Sequence, residues 1–265
     1  MNAVAPYGLL WRHRVLLQRT TRSELKARFA GSLFGLAWLL GYPLLLLGAY
    51  ASVFVFVLKV DADGFESPLD YVLLIFSGLI PFLGFAEGLG AGTPSVAGSA
   101  NLIKNTLFPI ELVPVRAVLV SQAVQVVGSV LLLATLVVTG GLTPWALLLP
   151  VVWLLQVMFT IGLIWIVSSV NVYLRDLQQM ISVITLFLMM VSPIGVSAAA
   201  MTGPLTAFSA CNPLWYVICC HQDLLVYGRM PPANAMLGLV LLGVGFFSLG
   251  HWFFTRMKRV LVDNV

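Results

Sequence analysis

Charged residues are scarce in this 265-residue chain: Asp, Glu, Lys and Arg make up 9% of it, against 60% hydrophobic residues. Soluble domains carry a charge on roughly a quarter of their residues, so this scarcity excludes an ordinary soluble domain. Each membrane-spanning helix needs about 20 apolar residues, which leaves room for six helices with short connections. We predict an all-α polytopic membrane protein with six transmembrane helices.

Cysteine and histidine are also few. The three cysteines, Cys211, Cys219 and Cys220, are an odd number without the spacing of metal ligands, which argues against a disulfide framework or a zinc site. The three histidines fall in separate segments. We expect free thiols, no metal site and no catalytic residues in this chain.

The chain lacks a phosphate-binding loop of the form Gly-x-x-x-x-Gly-Lys-[Ser/Thr]. Any ATP-driven work therefore needs a partner subunit. The run Gly88-Leu-Gly-Ala-Gly92 resembles part of a dinucleotide-binding fingerprint, but no strand precedes it. The spacing of Gly84, Gly88 and Gly92 is better interpreted as close packing of helices on small residues.

Basic residues concentrate near the start of the chain. Between Leu9 and Phe29 they alternate with leucine, valine and tryptophan, a pattern typical of a helix that lies at the membrane surface. A basic anchor that orients the following span is an equally good interpretation. We assign residues 1–31 as a cytoplasmic amphipathic interface helix and residues 32–265 as the membrane domain.

Six apolar stretches are predicted as membrane spans. Their bounds are Ser32–Leu58, Tyr71–Gly92, Ala117–Val138, Trp145–Val170, Met180–Ile194 and Ala235–Phe254. The segment between the last two is too polar and proline-rich for a span, and we expect it to insert halfway into the membrane on the external side. All basic residues except Lys59 and Arg229 then lie on one side, which predicts cytoplasmic termini.

Ionisable residues near the predicted membrane boundary leave two interpretations open. Glu87, near the cytoplasmic end of the second span, marks a functional site by default, whereas the simpler interpretation is a carboxylate that pairs with a nearby base. The adjacent charges of Arg175 and Asp176 indicate either a local salt bridge or a contact for a partner.

Aromatic residues are equally ambiguous. Phe34, Trp38 and Tyr42 are spaced by four residues in the first predicted span and so share one helical face. They indicate either the lining of a conduit for sugars or packing and interface anchoring. The same alternatives apply to Trp153, Phe159, Trp165 and Phe187.

The stretch Asn101–Pro114 is an amphipathic segment between the second and third predicted spans. It contains one amine, Lys104, one carboxylate, Glu111, and no nucleophile within reach of a base. It cannot perform chemistry by itself, and we interpret it as a surface on which a partner docks.

Short motifs follow one another in a definite order from about residue 20 to residue 230. They are Glu24-Leu-Lys-x-Arg-Phe29, Ser32-x-x-Gly35-x-x-Trp38, Pro43-Leu44, Ser77-Gly-Leu-Ile-Pro81, Asn101-Leu-Ile-Lys104, Phe108-Pro-x-Glu111-x-x-Pro114, Arg175-Asp176, Ser192-Pro-Ile194 and Asn212-Pro-Leu214. Each motif is weak alone. The ordered set resembles the ABC-2 type permeases of bacterial polysaccharide export, which serve O-antigen, teichoic acid and capsule polymers.

The resemblance implies a homodimer of six-span subunits in the bacterial inner membrane that contacts two copies of a separate nucleotide-binding ATPase subunit. ATP and Mg²⁺ bind that partner, so this chain carries no cofactor and is a permease, not an enzyme. The implied function is export of an undecaprenyl-diphosphate-linked polysaccharide, with O-antigen the expected cargo and no nucleic acid involved. The alternatives are an ABC-2 type exporter of a drug or simple lipid and, more remotely, a membrane-embedded lipid or sugar transferase.

The resemblance also implies roles for individual residues. Coupling to the ATPase is expected of Asn101, Leu102, Ile103, Lys104, Leu107, Phe108, Pro109, Glu111, Arg175 and Asp176. The entrance for the lipid head group is expected at Arg22, Lys26, Arg28 and Ser32, the channel lining at Phe34, Trp38 and Tyr42, and the external gate at Pro193, Phe208, Asn212 and Pro213.

Overall fold

The computed structural model describes residues 5–53, 68–99, 108–195 and 212–264, and the regular structure in these ranges is helical, with no strand. The α-helices are α1 (Ala5–Arg12), α2 (Arg14–Arg28), α3 (Trp38–Ser52), α4 (Pro68–Gly92), α5 (Ser95–Gly98), α6 (Leu112–Thr139), α7 (Leu149–Tyr173), α8 (Leu177–Val191), α9 (Pro213–Leu225) and α10 (Ala233–Asn264). Short 3-10 helices, Gly35–Ala37 and Pro144–Leu148, precede α3 and α7. The all-α prediction is confirmed for the described ranges.

Four stretches of helix in the described ranges are long and apolar enough to cross a membrane: Leu69–Gly92, Leu112–Thr139, Pro144–Tyr173 and Ala233–Lys258. They correspond to the predicted second, third, fourth and sixth spans. The predicted first and fifth spans appear as the apolar helices α3 and α8, each of 15 residues. At about 1.5 Å per residue, the described length of each of these two helices is less than a hydrocarbon core of about 30 Å.

Helices α7 and α10 pack closely because glycines meet at their crossing. A Cβ atom on Gly250 or on Gly162 would collide with the backbone of the opposite helix. A Cβ atom on Gly243 would lie 2.8 Å from the carbonyl oxygen of Leu155. Small residues are what permits such an approach in membrane helices.

The glycines of α4 have the packing role predicted for them. Gly84 lies directly against the side chain of Gln125 on α6, and a Cβ atom on Gly88 would lie 3.0 Å from the Ser121 hydroxyl. Gly92 faces Ile164 of α7. The prediction that these glycines serve close helix packing is confirmed.

A network of glutamine side chains joins α4, α6 and α7 in the interior of the bundle. Gln125 and Gln156 donate to each other at 2.8 and 3.0 Å, and Gln156 also donates to the carbonyl oxygen of Pro81 at 2.8 Å. Gln122 donates to the Gly84 carbonyl oxygen and accepts from the Trp153 indole, both at 3.1 Å. All three amides are buried. Their pairing satisfies polar groups that would otherwise be costly in an apolar interior.

Several helix boundaries differ from the predictions, and the last helix, α10, continues to Asn264 instead of ending at the predicted Phe254. Helix α6 begins at Leu112, earlier than the predicted Ala117, and so includes Pro114 in its first turn, where a helix tolerates proline because the missing N–H has no intrahelical acceptor. The predicted start of the first span at Ser32 is also wrong: α3 begins at Trp38, because Gly31 and Gly35 adopt positive φ angles of 81° and 51° and interrupt the helix.

Candidate functional site

The N-terminal helix α2 is attached to the bundle by two ion pairs. Arg28 pairs with Glu87 of α4, and Glu24, one helical turn before Arg28, pairs with Arg116 of α6. The pairing of Glu87 with a nearby base is therefore confirmed. Because the two pairs hold α2 against two different helices, the position of α2 does not depend on the Arg28–Glu87 pair alone.

A cavity of about 440 Å³ opens beside the Arg28–Glu87 pair, and we call it the entrance cavity. Its lining combines two charged side chains with aromatic and aliphatic ones. The lining residues are Arg28, Phe29, Trp38, Tyr42, Leu83, Ala86, Glu87 and Val124. The Arg28 side chain is 41% exposed and that of Glu87 is 22% exposed. A guanidinium at such a cavity can bind an anion through charge-assisted hydrogen bonds.

The structure brings two of the three predicted channel-lining aromatics into the entrance cavity. Trp38 and Tyr42 lie on α3 and line the cavity, whereas Phe34 precedes α3. The Phe34 ring meets the Trp38 ring edge to face at 5.7 Å between centroids. The three rings therefore do not share one helical face as predicted, because the chain is 3-10 helical and not α-helical between Phe34 and Trp38.

The other predicted head-group residues lie close by in the chain but do not line the entrance cavity. Arg22, Lys26 and Ser32 are all exposed. The ion pair of Glu24 and Arg116 borders a second cavity of about 460 Å³, which is lined by residues of α2, α4, α5 and α6. Arg28 borders both cavities.

Part of the predicted coupling stretch is described. Asn101, Leu102, Ile103, Lys104 and Leu107 lie outside the described residues, whereas Phe108 and Pro109 are partly exposed. Glu111 is 7% exposed, and its carboxylate accepts a bond from Lys258 of α10 at 2.6 Å. Its carbonyl oxygen accepts from the Trp165 indole at 2.9 Å. Glu111 therefore joins the start of α6 to α7 and α10.

Arg175 and Asp176 are exposed in the connection between α7 and α8. Among the described residues the salt bridges join other pairs, so the interpretation of a local Arg175–Asp176 bridge is wrong. The connection itself is shorter than predicted because α7 continues to Tyr173.

The two ends of the predicted gate segment are described and lie together; Phe208 lies outside the described residues. Asn212 donates to the Ser192 hydroxyl at 2.9 Å and accepts from the backbone N–H of Leu214 at 2.9 Å, which caps α9 at Pro213. Gln222 donates to the Pro193 carbonyl oxygen at 2.8 Å. Tyr71 donates to the Gly195 carbonyl oxygen at 3.0 Å. We call Ser192–Gly195 and Asn212–Pro213 the gate flanks.

The remaining aromatics divide between packing and exposure. Phe159 and Trp165 are 1% and 0% exposed, so they belong to the core. Phe187 is 56% exposed on α8. Cys219 and Cys220 are buried free thiols, as predicted, and Cys211 lies outside the described residues. Within the described ranges, no group of three or more His, Cys, Asp or Glu side chains is placed to hold a metal ion.

Two features of this region are absent from the sequence predictions. The Glu24–Arg116 pair joins residues that are far apart in the chain. No local sequence pattern indicates that these two residues pair with each other. The glutamine network could have been predicted, because three glutamines stand inside long apolar runs. An uncharged amide in such a run must find a hydrogen-bond partner in the interior.

Comparisons with known proteins agree with this architecture. The family model described as ABC-2 type transporter matches residues 14–226. The chain is 27% identical to the O-antigen export system permease protein RfbA of Myxococcus xanthus over 259 residues, which cover 97% of both chains. It is 26% identical over 246 residues to a protein of the same name from Klebsiella pneumoniae, covering 92% of both chains. A multi-pass membrane protein, this chain belongs to the ABC-2 type transporter family.

Proposed function

We propose that this chain is the membrane subunit of an ATP-driven exporter that moves undecaprenyl-diphosphate-linked polysaccharide, with O-antigen as the cargo, from the cytoplasm to the periplasm. The observation that carries the proposal is the end-to-end similarity to the RfbA proteins, whose name states O-antigen export. The entrance cavity supports it, because a basic side chain lies there beside aromatic rings and apolar walls. Those are the surfaces that a charged head group, a sugar and a lipid tail require.

The assembly that we propose is a homodimer of six-span subunits in the bacterial inner membrane. Two copies of an ATPase subunit bind on the cytoplasmic side, where both termini lie. The distribution of basic residues supports this orientation, since positive charges favour cytoplasmic segments. In this arrangement α3 and α8 are the remaining two spans, and α2 lies at the cytoplasmic surface.

Coupling is assigned to the stretch Asn101–Pro114, with Arg175 and Asp176 as a second contact. Arg175 and Asp176 are both exposed and do not pair with each other. Their charges are therefore accessible to a partner. Phe108 and Pro109, within the stretch itself, add a partly exposed apolar surface. Glu111, being buried, contributes by joining this stretch to α10 through Lys258.

A substitution in the coupling stretch tests this assignment. The family resemblance implies a coupling helix in this stretch, which Leu107→Pro would break, so hydrolysis by the ATPase should continue without response to substrate. The measurement is co-purification with the ATPase together with substrate-stimulated ATP hydrolysis. A variant that keeps both properties at the level of the unaltered protein contradicts the coupling role.

The substrate path begins in this proposal at the entrance cavity. Arg28, with Arg22, Lys26 and Ser32 nearby, binds the diphosphate head group. Sugar C–H surfaces then contact the ring faces of Trp38, Tyr42 and Phe34. Such contacts are weak, so the polymer can move past them without any one sugar unit being held in place. The gate flanks, with Phe208 between them, close the external side.

A gene deletion separates the proposal from its rivals. Loss of a polysaccharide exporter abolishes surface polysaccharide while the lipid-linked polymer accumulates inside the cell. A drug or simple-lipid exporter leaves surface polysaccharide unchanged, and loss of a transferase removes the lipid-linked polymer as well. Complementation with Arg28→Ala should restore little surface polysaccharide, whereas Arg19→Ala, an exposed arginine of the same helix, should restore it fully. Normal export by Arg28→Ala contradicts the head-group assignment.

A further inference from the structure

The Glu87 carboxylate, which forms an ion pair with Arg28, has no role in the proposed function. Glu87 lies on α4 inside a candidate membrane span, where a carboxylate is costly unless it is paired. Its partner is the same guanidinium that the proposed function assigns to the head group. An anion that enters the cavity therefore meets an arginine whose charge is already compensated.

The pair is accessible from the cavity. Arg28 is 41% exposed and Glu87 is 22% exposed, and both line the same space of about 440 Å³. A guanidinium has five N–H donors in a planar fork, and one carboxylate cannot occupy all of them. Arg28 can therefore begin to bond an incoming anion before it releases Glu87.

The pair can open without detaching α2. The neighbouring pair of Glu24 with Arg116 holds the same helix to α6, and Leu17 of α2 is buried in the core. By contrast, Glu111–Lys258 and Asp223–Arg229 pair elsewhere and line neither the entrance cavity nor the second cavity. Among the described ion pairs, only Arg28–Glu87 combines exposure to the entrance cavity with a second, independent anchor for its helix.

We propose that Glu87 is an internal counter-ion that occupies Arg28 until a lipid diphosphate displaces it, and that this competition weakens the binding of every anionic head group, so that only strongly attracted head groups occupy the entrance. The inference rests on the proposed function of Arg28. Every anion must displace the Glu87 contact in order to bind Arg28 fully, which is a fixed cost. The attraction to Arg28 increases with the charge of the head group. A diphosphate therefore overcomes the competition, whereas a singly charged phospholipid, abundant in the same membrane, does not.

Binding of two defined lipids to the full chain in phosphatidylcholine nanodiscs tests the competition. The probes are undecaprenyl diphosphate and undecaprenyl monophosphate, which differ in head-group charge and share the tail. Glu87→Gln keeps the size and an acceptor oxygen while removing the charge. Because the cost of displacing Glu87 is the same for both lipids, we expect both to bind about tenfold more tightly, with the ratio of their affinities unchanged.

Matched variants complete the experiment. Glu24→Gln makes the same chemical change in the neighbouring ion pair and should leave both affinities within about twofold, as expected for a pair outside the entrance cavity. Arg28→Gln is compared in the Glu87→Gln background, which avoids leaving a carboxylate unpaired, and there it should remove most binding of both lipids. Inorganic pyrophosphate, which has no tail, serves as a competitor to separate head-group binding from insertion of the tail.

The outcomes separate this inference from the proposed function. If Glu87→Gln leaves the affinities unchanged or lowers them while Arg28→Gln still removes binding, Glu87 is a structural tie only, and the head-group role of Arg28 stands. If Arg28→Gln has no effect in the Glu87→Gln background, the head-group role itself is wrong. Should Glu87→Gln not fold, Glu87→Ala gives the same comparison, because water can solvate the half-exposed Arg28.

Discussion

The carboxylate of Glu111 at the start of α6 accepts a 2.6 Å bond from the ammonium group of Lys258 in the last turns of α10. Glu111 is nearly buried, and its second carboxylate oxygen has no hydrogen-bond partner among the described residues. The Trp165 indole holds the backbone of the same residue. Glu111 is thus a junction of three helices at one end of the bundle, within the proposed coupling stretch.

The junction predicts an asymmetry between single and double substitutions. Lys258→Met leaves the buried carboxylate unpaired and should destabilise the protein by about 1–3 kcal/mol. Adding Glu111→Gln should recover part of that loss, because a neutral amide is less costly to bury than a charge. Apparent unfolding temperatures in detergent rank the variants. A double variant less stable than Lys258→Met would show that the two side chains do not interact in this way.

The crossing of α7 and α10 predicts opposite results for two glycines of one helix. Gly250→Ala places a methyl group against the backbone of Gly162 and should lower stability by about 2 kcal/mol or more. Gly245→Ala meets no atom within 4 Å and should leave stability unchanged or slightly higher, since alanine is the better helix former. The same unfolding measurement compares them. Equal effects at the two positions contradict the close crossing.

The glutamine network predicts non-additive effects. Gln156→Leu leaves the Pro81 carbonyl oxygen and the Gln125 amide without their partner, at a cost of about 1–3 kcal/mol for each buried group. Gln125→Leu/Gln156→Leu removes both amides and should cost less than the sum of the single substitutions. An additive double variant would mean that the two amides act independently.

Much of the bundle follows from local patterns in the sequence. Apolar runs of the right length locate α4, α6, α7 and α10, and the glycines of α4 predict its close packing. At the hairpin between α6 and α7, Gly140 adopts a φ angle of 75° beyond the end of α6, as a helix-terminating glycine does. Gly140 thus ends α6 in the connection between the predicted third and fourth spans.

The site depends on contacts that no local pattern contains. Arg28 and Glu87 belong to two different helices, α2 and α4. Their positions in the sequence do not indicate whether the Arg28 charge is free to bind a head group or is already neutralised by a carboxylate. Phe34 does not share a helical face with Trp38 and Tyr42 as predicted. The cause is local, since Gly35 adopts a positive φ between Phe34 and the start of α3. A helical spacing rule assumes continuous α-helix and fails where glycine interrupts it.

The gate flanks predict a graded effect at Asn212. Ser192→Ala removes one hydrogen bond between the two ends of the gate segment and keeps the cap of α9. Asn212→Ala removes both and should cost an additional 0.5–2 kcal/mol, roughly the value of a helix N-cap. Unfolding temperatures test the ranking. If Ser192→Ala is as damaging as Asn212→Ala, the cap contributes little.

The most direct measurement is transport by the permease reconstituted with its ATPase in liposomes, using radiolabelled undecaprenyl-diphosphate-linked polysaccharide. We expect labelled polymer to appear on the opposite face of the membrane only when both subunits and hydrolysable ATP are present. Arg28→Ala should abolish this transfer and Arg19→Ala should preserve it. Transfer that proceeds without ATP, or no transfer by an assembled complex that hydrolyses ATP in response to a drug or simple lipid, contradicts the proposal.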